Sequence, residues 1–265
     1  MLPRLLIKPS DSFANFVPAT LPPAEIWRRP DGGVCAYGYT GATQHWMCFP
    51  GFATFSFSNI SVRALVQRGA KRGRIRDVYE RSVLPMAVQL QGLEALHASG
   101  VRSPRGIVAL CGVSGTGKST VAFGLSRCSY RLWGDDAVAF DPACRAVPLP
   151  FRMQLRSQSS AYFGESSGCR RRNQGVPVPM AMVVVLRRVE NGVPMLTQLA
   201  PPAAFPAVLP HAYCFSLNHA ERKRGMARTY LQLCARIPIF ELKFSAGLVH
   251  LARMLELIEH AIATL

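Results

Sequence analysis

The chain has 265 residues, 49% of them hydrophobic, enough for a substantial core and too apolar for general disorder. Its 31 Lys and Arg against 15 Asp and Glu leave a formal net charge of +16, which suits an anionic partner such as nucleotide phosphates, an acidic peptide or nucleic acid. No helix-turn-helix, zinc-finger or aromatic-and-basic RNA-binding pattern accompanies that charge, and no stretch approaches the roughly 18 apolar residues of a membrane span, so neither nucleic acid nor a bilayer is the expected partner.

Residues 1–7 include apolar residues but too short a run for a secretory signal, and the eight cysteines are scattered without a C-x-x-C pair. Reduced packing thiols in a cytoplasmic chain are expected. Residues 1–70 read as a β-rich amino-terminal part. The Asp31-Gly32-Gly33 turn introduces a strand over 34–39, followed by strands over 44–49 and 52–57, the last alternating through Phe55 and Phe57 as a half-buried strand would. Residues 71–265 form the second domain. A basic run over 71–76 leads into a helical pattern over 77–96, with Pro85 as a kink or a break between two helices, and this delivers His97 to the core.

Residues 106–111 read as a buried strand and 120–128 as a helix. Between them lies Gly112-Val113-Ser114-Gly115-Thr116-Gly117-Lys118-Ser119, a full match to the phosphate-binding pattern G-x-x-x-x-G-K-[ST]. Glycines let successive N–H groups converge on a phosphate, and the helix N-terminus adds its positive dipole end. Gly112, Ser114, Gly115, Thr116, Gly117, Lys118, Ser119 and Thr120 are the expected contacts to ATP. Lys118 would reach the β and γ phosphates, and the Ser119 hydroxyl would ligate Mg²⁺.

A short strand over 130–134 then ends in Asp135-Asp136. Two carboxylates at a strand's carboxyl end, beside the phosphate loop of a parallel sheet, sit in the crevice where ligands bind. One can hold Mg²⁺ while the other takes a proton from an incoming hydroxyl.

Beyond the pair, residues 157–179 are polar and aperiodic, and the expectation is a long loop near the active site. Its Arg170, Arg171 and Arg172 would bind carboxylates of a substrate. A buried strand over 180–186, a partner strand over 195–199 across the Asn191-Gly192 turn, a proline-broken connection over 201–210 and a helix over 219–237 follow. A strand over 237–244 and an amphipathic terminal helix close the chain.

His97, the Gly112–Ser119 loop and Asp135-Asp136 together resemble, in order and spacing, the catalytic domain of the HPr kinase/phosphorylase family. Leu96-His97-Ala98-Ser99 and Trp133-Gly134-Asp135-Asp136 look most like the compact members found with peptide-modifying gene clusters, such as the kinases that phosphorylate lasso-peptide precursors. The likeness covers roughly residues 93–140 and continues more weakly to the end. It implies an α/β fold with a P-loop core of the HPr kinase / phosphoenolpyruvate carboxykinase type. It also implies Lys118 on the phosphates, Asp135 as general base, His97 as its partner, and Asp136 with Ser119 at the metal. Thr120 stands where the bifunctional enzymes carry Glu, and their glycine-containing signature segment has no clear copy here, which favours the kinase half of that chemistry.

The expected activity is therefore an ATP-dependent kinase acting on the Ser hydroxyl of a peptide or protein, with a homo-oligomer left open. A small-molecule kinase on the same scaffold and a nucleotide-gated regulatory module are the alternatives. The carboxylate pair speaks against the module, because a mere binder needs no base beside the γ phosphate.

Overall fold

The computed structural model describes residues 2–10, 17, 20–29, 31–165, 170–172, 175–214 and 219–265, with the backbone alone at Ser10 and at Arg170–Arg172. It is a mixed α/β structure that divides into two compact units, one of residues 1–92 with 214–224 and the other of residues 93–213 with 225–265. The first unit therefore runs past the expected boundary at residue 70 and takes in the helical segment.

The first unit carries a six-stranded sheet in the order Arg4–Ser10, Ser61–Gln67, Ala53–Phe57, His45–Phe49, Val34–Thr40, Glu25–Arg28. Tight turns join its last five strands as an antiparallel meander, and Arg4–Ser10 adds in parallel at one edge. Ala53–Phe57 is buried on both faces and not half-buried as its alternation suggested, with Phe49 edge-on to Phe55 at 5.7 Å. The segment expected as helical over 77–96, kinked or broken at Pro85, is α-helix Arg72–Val78, a π-turn Tyr79–Val83, α-helix Leu84–Ala87 and a 3₁₀ turn Val88–Gln91, and its last residues, Glu94–Leu96, are a strand. Pro85 has no N–H to give the carbonyl one turn back, and the widened turn before it, where the Leu84 N–H bonds the Tyr79 carbonyl, accommodates that loss.

The second unit is built on a larger mixed sheet. Its central path runs Arg131–Gly134, Ala98–Ser103, Gly106–Cys111, Val178–Val189, and Ile239–Ser245 pairs parallel to the far side of Val178–Val189. Val178–Val189 extends beyond that path, so that its first residues also pair with Arg145–Val147 and carry a short antiparallel ladder through Val138–Phe140 to Glu94–Leu96. Met195–Gln198 pairs with Ile239–Ser245 and not, as expected, with the strand before it.

Residues 201–210, expected as an irregular connection, begin with the helix Pro201–Val208. Its first two prolines occupy the positions where a missing N–H costs nothing. Met254, Ile258, Ala261 and Ile262 of the terminal helix Leu251–Thr264 pack with Val121, Ala122 and Leu125 and with the sheet residues Val108, Leu110 and Val184 into one core. Among the described residues, no helix is long and apolar enough to cross a membrane, and the seven described cysteines are free thiols.

Candidate active site

Strand direction decides what meets at the end of the Gly106–Cys111 strand. Ala98–Ser103 runs antiparallel to it, and Arg131–Gly134 runs antiparallel to Ala98–Ser103 in turn. Two reversals return the original direction, so the sheet expected to be purely parallel is locally mixed, yet Asp135 still emerges at the same end as Gly112. Ser99, at the start of the middle strand, lies at that end too.

The loop between Cys111 and Lys118 uses left-handed backbone at Gly112, Gly115 and Gly117, with φ of +153°, +85° and +115°. The helix Lys118–Arg127 then starts directly at the motif lysine. Lys118 is 6% exposed and curls back, its Nζ donating to the Gly112 carbonyl at 2.8 Å and to that of Val113 at 3.3 Å. Burial holds its ammonium below the ordinary lysine range, opposed first by Asp136 and then by Cys111 and Asp135. A cation of this kind rests on loop carbonyls that an incoming phosphate can replace.

Asp135 is 5% exposed and fully engaged. Its Oδ1 accepts from Ser99 Oγ at 2.7 Å and from Ser119 Oγ at 2.8 Å, and its Oδ2 accepts from the Gln154 N–H at 3.2 Å. Burial and then the neighbouring Asp136 push its carboxyl above the usual carboxylate range, against the pull of those three hydrogen bonds. The Ser119 hydroxyl and the Asp135 carboxylate are hard oxygen donors placed side by side at the loop. A hydroxyl and a carboxylate so arranged fit a Mg²⁺ that takes its remaining ligands from phosphate and water. Among the described residues, no cluster of three His, Cys, Asp or Glu offers an all-protein metal cage.

Asp136 is half-buried and sits at φ +65°, in left-handed backbone uncommon outside glycine and costly enough to recur at functional sites. The Tyr213 hydroxyl donates to its backbone carbonyl at 3.0 Å. The Tyr213 ring lies 5.9 Å from that of His97, and the backbone N–H of His97 donates to the His211 carbonyl at 2.6 Å. His97 occupies the single position between two strands, Glu94–Leu96 and Ala98–Ser103, rather than a helix end. Burial, then Lys118, brings its pKa down to about 4 while Asp136 pulls the other way, so the ring is neutral at ordinary pH. The hydrogen bonds on the Asp135 carboxylate come from Ser99, Ser119 and Gln154, while the carboxylate that influences His97 is that of Asp136.

The remaining expected residues fall around this centre. Ser114, Gly115 and Thr116 border an open cavity of about 750 Å³ whose lining includes Arg156, Arg187, Arg188, His211 and Glu241. Thr120 turns its hydroxyl away from the loop to meet Ser159 at 2.8 Å. Ser159 belongs to a helix, Ser157–Phe163, which corrects the expectation of a structureless loop over 157–179. Gly164 ends that helix in left-handed backbone, and Phe163 meets Phe123 of the loop helix edge-on at 4.8 Å. Arg170–Arg172 forms a short strand against Pro150–Arg152, and the substrate role expected of its side chains lies outside the described residues.

No protein-family profile matches the chain, and no curated protein does. Among solved structures, one described as the HPr(Ser) kinase/phosphatase from Coxiella burnetii is similar over 64% of this chain and 97% of its own, at 10% identity and a TM-score of 0.33. A similarity that remote bears on neither activity nor substrate.

The sequence passed over Gln154, Arg156, His211 and Tyr213 as site residues. Each stands far from the motifs along the chain and reaches them only through the sheet. Ser99 had a signal, its position two residues after His97 on what proves to be a strand, where alternate residues share a face.

Proposed function

We propose that the Gly112–Thr120 segment binds the phosphates of ATP and that the second unit, a P-loop core of the HPr-kinase type, transfers the γ-phosphoryl group to a hydroxyl, that of a Ser in a peptide or protein such as a lasso-peptide precursor. The observation that carries this reading is the Ser119–Asp135 contact at 2.8 Å beside the buried Lys118. A phosphate-reaching cation and a metal-holding oxygen pair are what a triphosphate requires, and a simple anion-binding turn requires neither.

The roles of the two carboxylates exchange relative to the sequence expectation. Asp135 is inward, hydrogen-bonded to Ser119 and shut away from an acceptor, which favours the metal side. Asp136 is the more exposed, lies close enough to Lys118 and His97 to influence both, and is the better-placed base. In the step, the acceptor oxygen attacks the γ phosphorus, the bond from that phosphorus to the β–γ bridging oxygen breaks, the acceptor proton passes to Asp136, and ADP leaves. Mg²⁺, held by Ser119 and Asp135, would supply neutralisation of phosphate charge. Neutral His97 orients Asp136 without competing for the proton.

The test is incubation of the full chain with Mg·ATP and Ser-containing peptides, followed by mass spectrometry for the gain of one phosphate. Phosphate appearing only on small hydroxyl compounds would move the acceptor to that class. ATP binding without transfer to either would leave a nucleotide-gated module.

A further inference from the structure

Arg156 has no task in the chemistry described so far. It precedes the Ser157–Phe163 helix in extended backbone, and its guanidinium packs on the loop itself. A Cβ built on Gly115 would lie 3.0 Å from both Nη1 and Nη2. Glycine suits this position for its φ of +85°, and a side chain there would press on the guanidinium tip. Arg156 also borders the same cavity as Ser114, Gly115 and Thr116. Among the described residues, no carboxylate forms an ion pair with it.

The segment carrying Arg156 is fastened before it to Asp135 and after it to the loop helix. Two residues earlier the Gln154 N–H holds Asp135 at 3.2 Å, three residues later Ser159 meets Thr120 at 2.8 Å, and Phe163 packs on Phe123. An exposed arginine would ordinarily disperse among many rotamers. Here the backbone brings it to the rim of the loop, and Glu241, the acid that borders the same cavity, is paired with Arg187 at 3.2 Å and with Lys243 at 3.2 Å, which leaves the fork available for two parallel hydrogen bonds to a phosphoryl group.

We propose that Arg156 is a catalytic residue of the phosphoryl transfer, a second cation beside Lys118 whose guanidinium fork contacts the non-bridging oxygens of the group in flight. This rests on the reading of the loop as a triphosphate site. Charge in such a transfer spreads over the equatorial oxygens of the moving group, where a planar bidentate donor matches better than a point charge. Lys118, seated on the Gly112 and Val113 carbonyls, and Arg156, resting against Gly115, would then approach that group from different parts of the loop.

Titration calorimetry on the full chain decides the matter, with three probes: Mg·ATP, Mg·ADP, and Mg·ADP with aluminium fluoride as a mimic of the transferred group. Each is measured on the unaltered chain and on Arg156→Ala and Arg156→Lys, with thermal unfolding as the control for folding. The expected result is ADP affinity within a few-fold in all three proteins. The added tightness of the fluoride complex is lost in Arg156→Ala and partly kept in Arg156→Lys, and transfer falls by about 10³ in the alanine variant, the lower range for an arginine at this step.

Unchanged fluoride tightness in Arg156→Ala overturns the proposal while leaving the triphosphate site intact. Equal loss of ADP and fluoride affinity overturns it as well, making Arg156 a support of the loop. Failure of the unaltered chain to bind any of the three probes overturns the triphosphate reading and this proposal with it. Should the alanine variant unfold, Arg156→Lys against Arg156→Gln gives the same comparison with the stem of the side chain preserved.

Discussion

Replacing Asp135 by Asn separates stability from function in opposite directions. Three hydrogen bonds end on this carboxylate, two from hydroxyls and one from a backbone N–H. An amide with its oxygen toward Gln154 keeps the backbone bond, and both serine hydroxyls can rotate to accept from its NH₂ group, so no donor need be stranded. Each bond loses its charge assistance, worth about 1 kcal/mol apiece. Against this stands a charge held in a side chain 5% exposed, whose desolvation costs several kcal/mol.

The sign of the pKa shift says which side prevails. The carboxyl is raised above its ordinary value, with burial as the first cause, so the folded chain binds the proton more readily than the unfolded one. Stability then falls as pH rises through the ordinary carboxylate range toward the raised value. At pH 7, Asp135→Asn should therefore be at least as stable as the unaltered chain, by about 1 kcal/mol or a rise of roughly 2–4 °C in Tm, with the advantage shrinking toward pH 4. Nucleotide affinity should fall in Mg²⁺ and be unchanged in EDTA. Differential scanning calorimetry from pH 4 to 8 and nucleotide titration with and without Mg²⁺ are the assays. A Tm lowered by several degrees at pH 7, or Mg²⁺-dependent binding left intact, would refute the account of Asp135 as a buried metal-side carboxylate.

Lys118→Ala should abolish measurable binding of the triphosphate in calorimetry while circular dichroism stays unchanged, because the hydrogen bonds of its Nζ among the described residues go to the Gly112 and Val113 carbonyls of its own loop and tie no other element to it. Asp136→Asn should keep nucleotide affinity within a few-fold and lose transfer by about 10²–10⁴, whereas equal loss of both would remove its role as base. His97, with a folded pKa of about 4 against 6.5 unfolded, contributes stability that is present above pH 6.5 and lost as pH falls toward 4. His97→Phe should accordingly flatten the decline of denaturant-measured stability between those limits, and an unflattened decline would show that the ring is not buried neutral.

The strand, loop and helix around Lys118 are legible in the sequence because the motif leaves the backbone little choice. Three glycines and a following apolar helix face specify one local structure. The neighbouring strands were harder for the opposite reason. Residues 94–103 are buried on both faces, so their hydrophobic pattern has no period to separate strand from helix, and the helical reading of 77–96 ran on into them. Ser157–Phe163 reads as polar linker, and contacts distant in sequence, such as Ser159 to Thr120 and Phe163 to Phe123, are what hold it as a helix. Which member of Asp135-Asp136 turns inward depends on the strand phase and on the left-handed residue at 136, neither of which the dipeptide discloses.

Val178–Val189 lies between two parallel neighbours, with Val183–Val185 paired to Ala109–Cys111 on one flank and to Ile239–Glu241 on the other. Its run Met180-Ala181-Met182-Val183-Val184-Val185-Leu186 is uncharged, free of proline and rich in β-branched residues, the composition of a self-associating segment. What shields one flank of Val183–Val189 is a strand contributed by the last tenth or so of the chain, and translation delivers that strand only after the valines have left the ribosome. For an interval during synthesis, and permanently in any product cut short before Ile239, an apolar row of unpaired N–H and C=O groups faces outward as a template for other copies. The terminal strand is therefore a safeguard of solubility as much as a part of the site's scaffold.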